Sequence, residues 1–319
     1  MSTPPEKNWP DAVIVFGASG FIGRNIVDAL AGRIGTIVGV THRTAAVPGC
    51  TAVTTIDRLD AVPPLPGETV VINAAAVRYD PRTFRAEQSA ILRRNVEIAN
   101  AVYAFCVARG ISEVRLASSV AVYPAGLSLL SDDAPVDLNG WPHAGEAAYA
   151  WSKRWAEICA EVHRRQYGIN SLTFRLSNPY GPYDSIDPAA AHVAPAFIIK
   201  ALAPGDTFEI LGNADAERDF VFAGDVAATF AASLTQRGPS DTFNLGFGST
   251  VTIRALAEAA LRAAGRDKKI VISSAAEPGV NTRRVTVRRL HEAFALPPFA
   301  DLQRGLAATT AWYRDALRR

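Results

Sequence analysis

Short apolar runs alternate with longer amphipathic stretches along the first half of the chain. Ala12-Val13-Ile14-Val15-Phe16, Thr36-Ile37-Val38-Gly39-Val40, Thr51 to Ile56, Thr69 to Ile72 and Val114 to Ala117 have the length and β-branched make-up of buried strands. Between and after them, the spacing predicts helices over Arg24 to Leu30, over about Phe84 to Ala108 and over about Ala148 to Gly168. Strands alternating with helices build a parallel sheet covered on both faces, so an α/β, doubly wound architecture is expected.

The first strand runs directly into Gly17-Ala18-Ser19-Gly20-Phe21-Ile22-Gly23, and the first helix follows at once. In a strand, turn, helix unit of this kind the first glycine makes the turn and the middle one lets a pyrophosphate approach the backbone. The last glycine lets the helix pack on the strand. The N–H groups at the helix start then face the phosphates. Gly17, Ser19, Gly20, Phe21, Ile22 and Gly23 are therefore candidate dinucleotide contacts, which makes this a Rossmann-type unit.

The tip of the second strand selects the dinucleotide. An acid there binds the free 2′-hydroxyl of NAD, whereas an arginine accommodates the 2′-phosphate of NADP. Thr41 stands where the acid would be and Arg43 lies two residues on, with His42 as a loop residue between them, so NADP(H) is expected over NAD(H). Asp57, followed by Arg58, comes just after the third strand, where it can meet the adenine edge. Ala74-Ala75-Ala76, after the fourth, have side chains small enough for a cofactor to lie close.

Composition narrows the partners. In 319 residues, 49% are apolar and 20% charged, with a net charge of +2, which gives no general reason to expect nucleic acid or a bilayer. The adjacent arginines at 93–94, 164–165, 283–284 and 288–289 read first as solvated faces. Three cysteines, Cys50, Cys106 and Cys159, show no ligand spacing and make a disulfide framework improbable, so no metal is expected. With no signal-like or membrane-length apolar stretch, a cytoplasmic location is expected.

Chemistry enters at Ala148-Tyr149-Ala150-Trp151-Ser152-Lys153. Positions four apart share one helix face, so Tyr149 and Lys153 point the same way. A phenol, with its ordinary pKa of about 10, is a poor acid–base group at neutral pH, and an adjacent ammonium favours the phenolate. Ala117-Ser118-Ser119-Val120 ends the fifth strand at the sheet edge where doubly wound folds bind ligands, and a serine hydroxyl there can hydrogen-bond a substrate carbonyl.

Together with Asn95, Tyr123, the run Arg175-Leu176-Ser177-Asn178-Pro179-Tyr180-Gly181-Pro182 and the run Arg218-Asp219-Phe220-Val221-Phe222, these motifs resemble the extended short-chain dehydrogenase/reductases. Within that branch the chain is similar to the NAD(P)-dependent nucleotide-sugar epimerase/dehydratase/reductase group. The resemblance implies a catalytic triad of Ser119, Tyr149 and Lys153, with Asn95 supporting the lysine. It implies a homodimer formed through the two long helices. It also implies a dinucleotide domain over residues 1–178 and about 218–247, and a smaller α/β substrate domain over 179–217 and 248–319. Asn178, Arg218 and one of Arg283 and Arg284 would hold a nucleotide-sugar substrate, beside Val120.

The segment from Tyr180 to Phe197 resembles that of the GDP-fucose synthase-type 4-keto-6-deoxy sugar reductases. In those enzymes a histidine at the position of His192 and a cysteine at that of Ala121 move the protons of epimerisation. Alanine cannot take a proton from carbon, which favours simple ketoreduction. Related 4,6-dehydratases carry Asp-Glu where this chain has Val120-Ala121, which speaks against dehydration. The expected activity is NADPH-dependent reduction of a nucleotide-linked 4-keto-6-deoxy sugar. The alternatives are an NAD-retaining epimerase and a non-catalytic dinucleotide-binding regulator.

Overall fold

The structure, a computed structural model, describes residues 8–43, 46–77, 84–273 and 282–318, the side chains of 84 and 85 excepted. The first half runs β1 (Ala12–Phe16), α1 (Phe21–Leu30), β2 (Thr36–Thr41), β3 (Ala52–Thr55), β4 (Thr69–Asn73), α2 (Phe84–Arg109), β5 (Glu113–Ser119) and β6 (Leu129–Leu130). It continues with α3 (Ala147–Tyr167), β7 (Asn170–Leu176), β8 (Asn178–Tyr180), α4 (Val193–Leu202), β9 (Thr207–Leu211) and β10 (Glu217–Phe222). The last part is α5 (Ala223–Ser233), β11 (Asp241–Leu245), β12 (Thr250–Thr252), α6 (Ile253–Ala264), β13 (Lys269–Ser273), β14 (Thr282–Val285), α7 (Arg288–Ala293) and α8 (Leu302–Ala316).

Seven parallel strands form one sheet in the order β11-β7-β5-β4-β1-β2-β3. The five apolar runs of the sequence are β1 to β5; burial on both faces explains why β1, β2, β4 and β5 lack alternation, whereas β3, at the sheet edge, is only half-buried. One core, built on Val13, Val15, Ile26, Phe174 and Phe230, lies under α1 and α5. The other, built on Ile14, Phe16, Val71, Tyr103 and Leu116, lies under α2 and α3. Strand order reverses between β1 and β4, and a crevice opens at the carboxyl ends of strands at such a point.

The C-terminal half, joined by β6 from the first half, adds a second sheet, β12-β10-β14-β6 with β8 on β10, and a β13-β9 pair. A third core, around Phe197, Phe208, Leu256, Leu306 and Tyr313, joins α4, α6 and α8. The segment 218–247, expected as a return to the dinucleotide part, divides by its pairing. β10 belongs to the second sheet, whereas α5 packs on α1 and β11 completes the first. The reason lies in Ser177, the single residue between the end of β7 at Leu176 and the start of β8 at Asn178, so the chain passes to the second sheet before β10 forms.

Buried charge ties α3 to the sheet. Glu157 accepts from Arg175 Nε and Nη2 on β7 at 3.0 and 2.7 Å, and from Ser118 Oγ on β5 at 2.6 Å. The turn after β1 is held by backbone packing instead. A Cβ at Gly23 would stand 2.0 Å from the Gly17 carbonyl oxygen and 3.1 Å from Ala18 Cα. Neither obstacle is a side chain that could swing away. Gly23→Ala is expected to cost about 2 kcal/mol through overpacking. The melting midpoint should then fall by roughly 4 °C, and a midpoint within about a degree of the parent's would contradict this packing.

Candidate active site

The carboxyl ends of β1, β2, β4 and β5 border a cavity of 1320 Å³ that extends across to β8, β10 and β14. Gly17, at φ +80°, starts its floor, where a Cβ would come 2.7 Å from Ala75 Cα. The chain can turn there only without a side chain. Ser19, Gly20, Phe21 and Ile22 continue the wall, and Gly20 stands at the N-cap of α1 with no side chain to cap it. Gly23 is behind the wall, pressed on Gly17. Thr41, His42, Arg43, Asp57, Ala74, Ala75 and Ala76 line the same cavity, with His42 and Arg43 exposed at the tip of β2. This cradle of small residues, a helix N-terminus and a basic strand tip suits a dinucleotide.

Arg58 differs from expectation. It is absent from the cavity wall, and its carbonyl accepts from Thr54 Oγ1 at 2.8 Å, because a 3-10 stretch turns the chain directly after β3. Asn95 differs too. It lies outside the wall, and its amide accepts from Val77 N and donates to Val77 O, both at 2.7 Å. It therefore clamps the chain just after Ala76.

Lys153 has another partner. Its Nζ donates to the Ala117 carbonyl at 2.8 Å and lies 5.5 Å from the centre of the Tyr149 ring, one helical turn away. Burial pushes the Lys153 pKa down to about 8, with Glu157 opposing the shift. Ser119 caps a single turn, Val120–Val122, by accepting from Ala121 N at 3.1 Å. Ala117, Ser118, Ser119, Val120, Tyr149 and Lys153 thus share the cavity with the glycine turn.

The opposite wall belongs to the second sheet. Asn178 donates to the Asp219 carbonyl at 2.7 Å, which joins β8 to β10 beside the cavity. Arg218 on β10 and Arg283 on β14 are register partners, and both line the cavity. Arg284, the next residue on the strand, is exposed and turned off the wall, since successive side chains alternate faces.

His192 lines the cavity as well, its ring centre 5.9 Å from that of Phe21. Its Nδ1 donates at 2.6 Å to Asp184, whose carboxylate is wholly buried. That bond fixes the tautomer in which Nε2 accepts when the ring is neutral. Tyr183, between the two walls, adopts φ +69° and donates to Asp28 on α1 at 2.7 Å. The sequence reading missed Asp184, along with Glu146, His143, Arg93 and Arg94 in the wall. For Asp184 the signal was available in the short loop it shares with His192.

A phenol, an ammonium and a hydroxyl gathered next to a dinucleotide cradle define a nucleotide-dependent enzyme of the extended short-chain dehydrogenase/reductase class. A model of the NAD dependent epimerase/dehydratase family matches residues 13–246, and the chain belongs to that family. The dTDP-4-dehydro-6-deoxy-D-allose reductase of Streptomyces bikiniensis is 28% identical over 328 residues, covering 96% of this chain and 97% of that one. The GDP-L-fucose synthase of Dictyostelium discoideum is 22% identical over 70% of this chain and 71% of its own. In three dimensions the UDP-glucose 4-epimerase of Thermotoga maritima, solved with UDP-glucose, superposes with a TM-score of 0.81 at 21% identity. The match covers 96% of this chain and 99% of that one, and it establishes the shared fold.

Since Lys153 must be charged to favour the phenolate of Tyr149, its loss of a proton removes that influence. The expected kcat/KM, which reports the free enzyme, falls as pH rises through about 8. A profile flat across that range, read by steady-state kinetics, would exclude this role.

Proposed function

We propose that the chain reduces a nucleotide-linked 4-keto-6-deoxy sugar, with NADPH as the reductant and a dTDP-linked sugar as the foremost substrate. The observation that carries this is the convergence of Ser119, Tyr149 and Lys153 between the glycine turn and the Arg218/Arg283 wall of one cavity. The dTDP-sugar reductases that match along nearly the full chain support the substrate class. The dinucleotide, when bound, supplies hydride to the carbonyl carbon. Tyr149 donates a proton to the carbonyl oxygen, Ser119 Oγ polarises that oxygen, and Lys153 raises the acidity of Tyr149. Arg218 and Arg283 offer planar forks to a diphosphate, and Asn178 a neighbouring amide to the sugar side.

The domain division follows the same logic. The seven-stranded sheet serves the dinucleotide, and the second sheet with α4, α6 and α8 serves the sugar nucleotide. No helix among the described residues is long and apolar enough to cross a membrane. Trp155, Ile158 and Val162 lie exposed on one face of α3, with Leu92 and Val107 exposed on α2, which supports a homodimer formed through these helices.

A second reading, epimerisation beside the carbonyl, is favoured by the Asp184–His192 pair, which equips the cavity with another proton-transfer group. Ala121, in the same cavity wall, offers no partner acid. Incubation in deuterium oxide separates the two readings, because only epimerisation washes solvent label into the ring carbons next to C4.

NADPH absorbance followed against dTDP-, GDP-, UDP- and CDP-linked 4-keto sugars tests the activity. Consumption with one nucleotide, most readily dTDP, is expected, and none with any of them would refute the reading. Tyr149→Phe should lower turnover by about 100-fold or more, with NADPH affinity kept; near-parent turnover would remove Tyr149 from the reaction. For the cofactor, Arg43→Ala should raise the Kd of NADPH by about tenfold and leave that of NADH nearly unchanged. Equal losses, measured by fluorescence titration, would argue against a 2′-phosphate contact.

A further inference from the structure

The two arginines of the substrate wall have a third, acidic neighbour that the proposed reaction does not use. As register partners on parallel strands, Arg218 and Arg283 project from the same face of the second sheet. Their guanidinium groups are close enough that Arg283, after burial, is a further cause lowering the pKa of Arg218. From across the cavity comes Glu146, the last residue of the turn Ala144–Glu146 and the N-cap of α3, three positions before Tyr149. Arg283 Nη1 donates to its carboxylate at 3.2 and 3.5 Å. The two side chains are 27% and 18% exposed, so the pair sits in the wall and not on the outer surface.

The turn that carries Glu146 is itself fixed. Glu146 N donates to the His143 carbonyl at 2.9 Å, and Gly145 N donates to His143 Nδ1 at 3.2 Å. The backbone that carries Glu146 is thus fixed beside Arg283, and the bond from Arg283 Nη1 orients its carboxylate. A guanidinium carries five N–H donors, and Glu146 is bonded through one of its nitrogens, Nη1 of Arg283. A diphosphate that takes Nη1 into a bidentate fork must displace Glu146 from it, and a diphosphate bound there in any way must accept a negative charge close by.

We propose that Glu146 is a built-in competitor for the nucleoside diphosphate: it occupies Arg283 in the empty site, yields it on substrate binding, and thereby sets the affinity for substrate and the ease of product release. The inference rests on the reading that Arg218 and Arg283 receive the diphosphate. Without the carboxylate, Glu146 no longer offsets the charge of Arg283, and nucleoside diphosphates bind more tightly. A purely structural role for Glu146 has the opposite consequence, since loosening the start of α3 can only weaken binding.

Titration calorimetry of the NADP-loaded enzyme with dTDP, UDP and GDP in turn provides the test, in the parent, Glu146→Gln, Arg283→Ala and the double variant. Glu146→Gln keeps the side-chain shape and removes the charge. For the nucleotide that binds the parent best, its Kd should fall by about threefold to fivefold, the range of a part-exposed ion pair. In the Arg283→Ala background the same change should bring a smaller gain, because Glu146 then acts only through its charge on the ligand and on Arg218. A Glu146→Gln Kd equal to or above the parent's, or an equal gain without Arg283, overturns the competitor role while leaving the diphosphate reading intact. Parent-like affinity in Arg283→Ala, or no binding of any of the three nucleotides, overturns the diphosphate reading itself.

Discussion

A buried ammonium on a strand-end carbonyl holds the centre of this molecule together. Lys153 Nζ reaches out of α3 to the Ala117 oxygen, two residues before β5 ends at Ser119. An amine in that position loses its hydration, and its pKa drops accordingly, yet the bond fixes the helix that bears Tyr149 against the strand that bears Ser119. Glu157, one turn further along α3, reinforces the junction through Ser118 and Arg175. Helix and strand are thereby set by side chains inside the protein, so the face of Tyr149 and the hydroxyl of Ser119 need no ligand to bring them together.

From that junction the rest of the cavity follows by topology. The reversal of strand order between β1 and β4 leaves the crevice into which the glycine turn opens, and β5 lies next to β4. The second sheet is then brought opposite by β8, which begins two residues after β7 ends. One clamp crosses from the substrate side to the cofactor helix: Asn25 donates to the Pro182 carbonyl at 3.0 Å, and Tyr183 bonds Asp28. The left-handed backbone of Tyr183 is the strained point of this clamp, and it directs the next residue, Asp184, inward to His192. Strain sits where two ligand-facing walls meet.

How much of this the sequence revealed depends on whether the signal was local. The glycine turn and the Tyr149/Lys153 pair were legible because each depends on a single turn or helix, whose geometry follows from a few adjacent residues. The strands β1, β2, β4 and β5 were legible for a similar reason, being largely apolar on both faces. Arg283 could not be told from Arg284, since which of two neighbours on a strand faces inward depends on register with β10, a partner more than sixty residues away. The bond of Asn95 to Val77 was not legible, because helical periodicity gives a face and not the loop that packs on it. Glu146 gains meaning only through Arg283, a partner that tertiary structure places beside it.

The central claim is that one cavity lays a reduced nicotinamide and a keto sugar face to face beside Tyr149. Its most direct measurement uses NADPH carrying deuterium at C4 of the nicotinamide, separately on each face, with the product sugar read by NMR. Deuterium from one face only is expected at C4 of the sugar, in full yield and unaffected by solvent. Product bearing solvent hydrogen at that carbon, or label delivered from both faces alike, would contradict direct transfer in this site.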